Sequence, residues 1–122
     1  MACLDVNIFP YLTEKKSILF SCVKFFSKRH FGVYLIHEDY LFELWNFIDN
    51  ESFYELKSKQ NPILMLEKIN SLKDIQILDF VISESLNKFL MLIRNNEGKI
   101  YLIFLDHDKN EQEFQIDQMY FL

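Results

Sequence analysis

Glycine and proline are nearly missing from this chain, with two of each in 122 residues. So few residues that force a turn or accept a positive φ imply long regular elements joined by short polar loops. Gly32 and Gly98 are the only glycines, so there is no material for a backbone cradle around phosphate. Cysteine is equally scarce: Cys3 and Cys22 stand far apart and in no ligand spacing. That argues against a disulfide framework and for a reducing cytosol, with Cys22 a small hydrophobe inside an apolar run. No basic segment followed by an apolar block opens the chain, so a signal peptide is not expected. The apolar run 18–26 is broken by Ser21 and Lys24 and is too short for a bilayer. A soluble, cytoplasmic protein with no membrane part is expected.

Catalytic signatures are missing too. There is no nucleophile elbow, no Gly-rich phosphate loop and no metalloprotease motif. His30, His37 and His107 are scattered, with no pair at a zinc-ligand spacing. Residues 106–110 (DHDKN) imitate the start of a calcium loop, but Glu111 stands where the sharp turn needs glycine and Asp117 where a bidentate Glu belongs. An acidic β-turn is the better reading. The expectation is a non-enzyme with no catalytic residues, no metal and no cofactor.

Positive charge is absent from residues 30–56, and the net charge of the chain is −5. Basic groups gather earlier, with Lys15, Lys16, Lys24, Lys28 and Arg29 against Glu14 in residues 14–30. An acidic chain without a dominant basic face argues against nucleic acid, whose affinity comes mostly from Lys and Arg on phosphate. A cationic protein partner suits it better.

What the chain does have is bulk. Thirteen Phe and six Tyr, in a composition 50% hydrophobic and 25% charged, point to a globular fold with an aromatic core or aromatic surface left for binding. Its length suits one domain over residues 1–122. Residues 1–12 read as a first strand ended by Pro10, and Thr13 as a cap opening a helix to about Arg29. Within it Leu19, Cys22, Val23 and Phe26 recur at helical spacing, and Gly32 follows as a stop. Residues 33–36 read as a strand. For residues 39–48 a helical wheel gathers Tyr40, Leu41, Leu44, Trp45, Phe47 and Ile48 on one side; a hairpin of 33–37 with 40–47 is the competing reading. Ser52 to Glu55 has the spacing of a capping box, and Asn61-Pro62 that of a helix start, with the helix ending near Ser71.

The second half changes character. Residues 75–83, 88–94, 99–106 and 113–121 read as four strands, with Asn95-Asn96-Glu97-Gly98 the clearest hairpin turn. Residues 89–93 (FLMLI) and 100–105 (IYLIFL) are almost continuously apolar and suit central strands, while the last strand alternates like an edge. The expected fold class is α+β, with N-terminal helices packed on a C-terminal antiparallel meander of about four strands.

The stretch 37–56, HEDYLFELWNFIDNESFYEL, is where acid and aromatic character coincide. Its aromatics divide between core and surface: the wheel buries Trp45 and Phe47 and leaves Phe42 on the polar side. Glu38, Asp39, Phe42, Glu43, Asp49 and Glu51 are therefore the candidate partner-binding residues, with Phe53 or Tyr54 as further anchors and 106–117 as a second acidic region.

In size, acidity, aromatic content and lack of catalytic residues, the whole chain resembles the immunity proteins of bacterial toxin–antitoxin systems, including contact-dependent inhibition. The resemblance implies direct binding of a cognate protein toxin, often a basic nuclease, and occlusion of its active site. The basic stretch 14–29 departs from a uniformly acidic inhibitor. Two other classes stay open: an assembly subunit with a homo-oligomer interface, and a small-ligand or carboxylate-based enzyme domain with an aromatic-lined pocket.

Overall fold

The computed structural model describes residues 17–66 and 74–122. The expected strand in 1–12, the Thr13 cap and the region 67–71 of the helix expected from Asn61-Pro62 lie outside the described residues. Among the described residues there are eight strands and no α-helix: β1 (Ile18–Phe25), β2 (His30–His37), β3 (Phe42–Asp49), β4 (Tyr54–Gln60), β5 (Gln76–Ser83), β6 (Lys88–Arg94), β7 (Ile100–Asp106) and β8 (Gln115–Phe121). They form two antiparallel meanders, β1-β2-β3-β4 and β5-β6-β7-β8. No helix in this part of the chain is long and apolar enough to cross a membrane.

The second meander follows the sequence reading closely, with β8 at a sheet edge and a turn at Gly98, where φ is 80°. The first overturns it. The expected helix 13–29 contains β1, the expected helix 39–48 is largely β3, and residues 52–55 form a bend entering β4. Residues 61–65 carry no helix, and Ile63 instead makes an isolated bridge to Glu113. The architecture is all-β, not α+β.

The reason lies in the spacing of the apolar residues. Leu19/Val23 and Cys22/Phe26 are i,i+4 pairs, and residues four apart share a face in a helix and in a strand alike. Only the i,i+3 pairs distinguish the two, and the burial of β1 alternates along Ile18–Phe25 with period two. Aromatic and β-branched residues such as Ile18, Phe20, Val23 and Phe25 also favour a pleated surface. In the second stretch β2 and β3 are buried on both faces, so their near-continuous apolar character carries no period. The competing hairpin reading is the observed one: Val33 pairs with Trp45 and Ile36 with Phe42.

The inner faces of the two sheets share one core. Cys22, Tyr34, Ile36, Phe42 and Leu44 from the first sheet meet Ile77, Phe80, Phe89, Met91, Ile93, Ile103 and Leu105 from the second, with Leu66 and Phe114. A second cluster lies on the opposite face of the first sheet: Phe31, Val33, Leu35, Trp45 and Phe47. Gly32, expected to stop a helix, instead sits mid-strand between Lys24 and Asn46. A Cβ there would stand 2.6 Å from Leu44 Cδ1 and 2.8 Å from Phe26 Cε2. Gly32→Ala is expected to cost about 1–3 kcal/mol through overpacking, measurable by urea denaturation. A neutral result would mean that the Phe26 ring moves aside freely.

Scarce glycine does not prevent tight turns. Tyr40 (φ 63°), Glu51 (φ 70°) and Asn87 (φ 53°) take the left-handed conformation between strands. In two of these turns an aspartate helps hold the backbone: Leu41 N–H donates to Asp39 Oδ1 and Glu51 N–H to Asp49 Oδ1.

Candidate interaction site at one end of the two sheets

Position along β3 and, for Phe42, strand parity divide the six candidate residues. Glu38 and Asp39 lie in the β2–β3 turn, which is tied to β5 where Ile77 N–H donates to Tyr40 Oη at 3.0 Å. Glu43 sits on β3 near that end, and its Oε1 is 2.7 Å from Nε2 of the buried His37. Asp49 and Glu51 are at the other end of β3, about 20 Å away by strand rise. Phe42 reaches neither end of the surface. It is 6% exposed, its ring 5.3 Å from that of Phe114 and 5.9 Å from that of Phe80. The polar side of a helical wheel is the inner face of this strand, so Phe42 is core.

The end carrying Asp49 and Glu51 collects more. Asp49 N–H donates to Arg29 carbonyl O, and Arg29 Nη2 donates to Glu51 Oε1 at 2.6 Å, tying the β3–β4 turn to the β1–β2 turn. The β7–β8 loop, part of the second acidic region, arrives here too, with Lys109 Nζ 3.2 Å from His30 Nδ1. Exposed aromatics surround the acids: Phe25 is 48%, Phe53 58% and Tyr54 37% exposed. Phe25 and Tyr54 both pack on the buried Phe31 ring, with centroids 5.6 Å away in each case. Hydrogen bonds from Asn50 and Lys57 hold the Glu55 carboxyl below its usual range, so the turn stays anionic.

Beneath this end lies a polar network that the sequence did not disclose. Lys24, 8% exposed, donates from Nζ to the His107 carbonyl at 2.6 Å, with the Phe26 and Phe89 rings 5.6 and 5.4 Å away. The His107 ring lies 2.6 Å from Tyr34 Oη through Nδ1 and 2.7 Å from the Glu111 carbonyl through Nε2. A carbonyl only accepts, so Nε2 carries the proton and Tyr34 O–H donates to Nδ1. Burial pushes the Lys24 and His107 values down and the Tyr34 value up. Asp106, Asp108 and Glu111 partly offset the shift on Lys24. Lys88 sits between Asp106 and Asp117 at 2.9 and 3.0 Å, and hydrogen bonds to those carboxylates raise its value. One signal was available: Lys24 interrupts an apolar run. Its partner lies 83 residues away.

This network ties the β7–β8 loop to β1 through Lys24 and to β2 through Tyr34. Cys22 is buried and its thiol pushed up to about 12. Among the described residues no group of His, Cys, Asp and Glu is arranged to hold a metal ion. Comparison with known proteins is silent: no family model, no curated protein and no solved structure matches the chain.

Proposed function

We propose that this chain is a non-enzymatic binding protein of the cytoplasm, an immunity protein that neutralises a cognate toxin domain by direct 1:1 contact. The observation that carries the reading is Phe53, 58% exposed on a turn between Glu51 and Glu55. An exposed aromatic on a pinned turn, ringed by carboxylates, is the composition of an interface anchor with electrostatic steering toward a cationic partner. A basic nuclease cleft has the complementary charge. Arg29, paired with Glu51, and Lys109 temper the negative field, so shape and the Phe25–Phe53–Tyr54 surface contribute more than net charge.

The test is affinity for the toxin domain encoded beside this gene. Phe53→Ala is expected to weaken binding roughly thirtyfold, about 2 kcal/mol, with little change in folding stability. Glu38→Lys, at the far end, should leave affinity nearly unchanged. Equal affinity of wild type and Phe53→Ala would remove this surface from the interface, and inhibition by substrate turnover would remove the proposal itself.

One observation favours a second reading, self-association. The outward face of the second sheet is apolar along Val81, Leu90, Leu92, Leu102, Phe104 and Tyr120, with Val81 43% and Tyr120 47% exposed. Arg94 lies toward one end of that face, and Asp106 and Asp117 flank Lys88 at the other. Two copies laid antiparallel would set each basic end over an acidic one. Sedimentation of a clean monomer would remove this reading.

A further inference from the structure

The chain is acidic, yet the cavity between the β1–β2 turn, β3, β4 and the β7–β8 loop has no carboxylate among its lining residues. Its volume is about 210 Å³. Its charged residues are Lys57 and Lys109, with His30 beside them. An ammonium can only donate, so the 3.2 Å contact from Lys109 Nζ makes His30 Nδ1 the acceptor and leaves the ring proton on Nε2 as a further donor. Lys57 shares its charge with Glu55 at 3.2 Å, which leaves Lys109 as the stronger anion contact. Phe26 and Ile48 supply apolar wall, and Asn46 lines the same space with its Nδ2 donating to Ser58 Oγ at 3.0 Å.

From this lining we propose that the cavity binds a small aryl carboxylate. The charge requires an anion. Phosphate is disfavoured because neither glycine lines the site, so there is no backbone nest to enclose three or four oxygens. A carboxylate needs only two or three donors, which Lys109, His30 and Lys57 provide. The apolar wall asks for a ring, and the size agrees, since a cavity of roughly 150 Å³ holds benzene. The site borders the proposed toxin surface and shares Lys109 with it, but Phe53, the anchor of that surface, does not line the cavity.

The experiment is a two-dimensional amide NMR titration of the whole chain with benzoate, benzamide, benzamidine and inorganic phosphate. Benzoate is expected to give saturable shifts at Lys57, Ser58, Lys109 and Asn110, at least tenfold tighter than the other three. Lys109→Met should weaken benzoate at least fivefold, and Lys57→Met less. If Lys109→Met does not give a folded spectrum, Lys109→Gln serves the same purpose. Benzamide or phosphate binding as tightly as benzoate would overturn the proposal. So would a folded Lys109 variant with unchanged benzoate affinity. Loss of toxin binding in Phe53→Ala leaves these outcomes untouched, so the two proposals fail separately.

Discussion

Phe114→Ala is expected to lower the unfolding free energy by about 3–5 kcal/mol and the midpoint of thermal unfolding by on the order of 10–20 °C. Phe114 is 4% exposed and lies just before β8. Its ring meets those of Tyr34, Phe42, Phe80, Phe89 and His107, at centroid distances from 4.8 to 6.3 Å. Tyr34 and Phe42 belong to the first sheet, Phe80 and Phe89 to the second, so one side chain joins the two layers. Its backbone is fixed independently, since Phe114 N–H donates to the Ile63 carbonyl at 2.9 Å. The hole left by alanine therefore cannot close by a simple slide of the loop. Most of the lost transfer and cavity energy should appear in the measurement. Phe104→Ala, on the outward face of β7, is the control and should cost clearly less. Urea unfolding of both variants decides the matter: a Phe114→Ala loss below about 1 kcal/mol would mean that the layers repack without this ring.

The centrality of Phe114 bears on how much of this molecule its sequence discloses. The four C-terminal strands are legible because local chemistry agrees at every step: apolar runs of strand length, separated by polar turns, with Gly98 where φ is positive. Asn95 shows the same agreement at atomic scale, since its Oδ1 accepts from Glu97 N–H and Lys99 N–H. The N-terminal half is not legible in this way. Its i,i+4 apolar pairs fit both periods, and the burial of β2 on both faces leaves no polar residue to mark a face. Misreading the period moved Phe42 from core to surface, which is the error a change of period must produce. The acidic character of residues 38–55 was legible, but its division between two ends of β3 was not, because charge in sequence carries no direction until the strand does. The contacts of His107 with Tyr34 and Lys24 span 73 and 83 residues, and nothing local to any of the three names the other two.

The second large effect is expected at His107. His107→Ala removes the acceptor for Tyr34 O–H and the donor to the Glu111 carbonyl, and Tyr34 is 1% exposed. The buried Tyr34 O–H left unpaired costs about 1–3 kcal/mol and the cavity left by the buried His107 ring adds to it, so a loss on the order of 2–5 kcal/mol is expected. Lys24 keeps its bond to the backbone carbonyl of residue 107, which separates this change from a general collapse of the loop. The wild type should also lose stability in acid for the same reason. Burial, helped by the positive charge of Lys24, holds the His107 value below its ordinary 6.5, against the opposing pull of Glu111 and Asp108. Above pH 6.5 the ring is neutral folded and unfolded, and the contribution is complete. As the pH falls below 6.5 the unfolded chain takes up the proton first, so unfolding gains ground until the folded-state value is reached. The structure supplies the chemical reason: Nδ1 already accepts from Tyr34, and protonating it would set two donors face to face unless the phenol turned. His107→Gln, which can keep one donor and one acceptor, should recover part of the stability and show a shallower fall below pH 6.5. Denaturant midpoints at pH 7.5 and 5.0 for the three proteins provide the comparison. An acid slope in His107→Gln as steep as in wild type would place the sensitivity on another group and sever the link between this buried ring and the order of the β7–β8 loop.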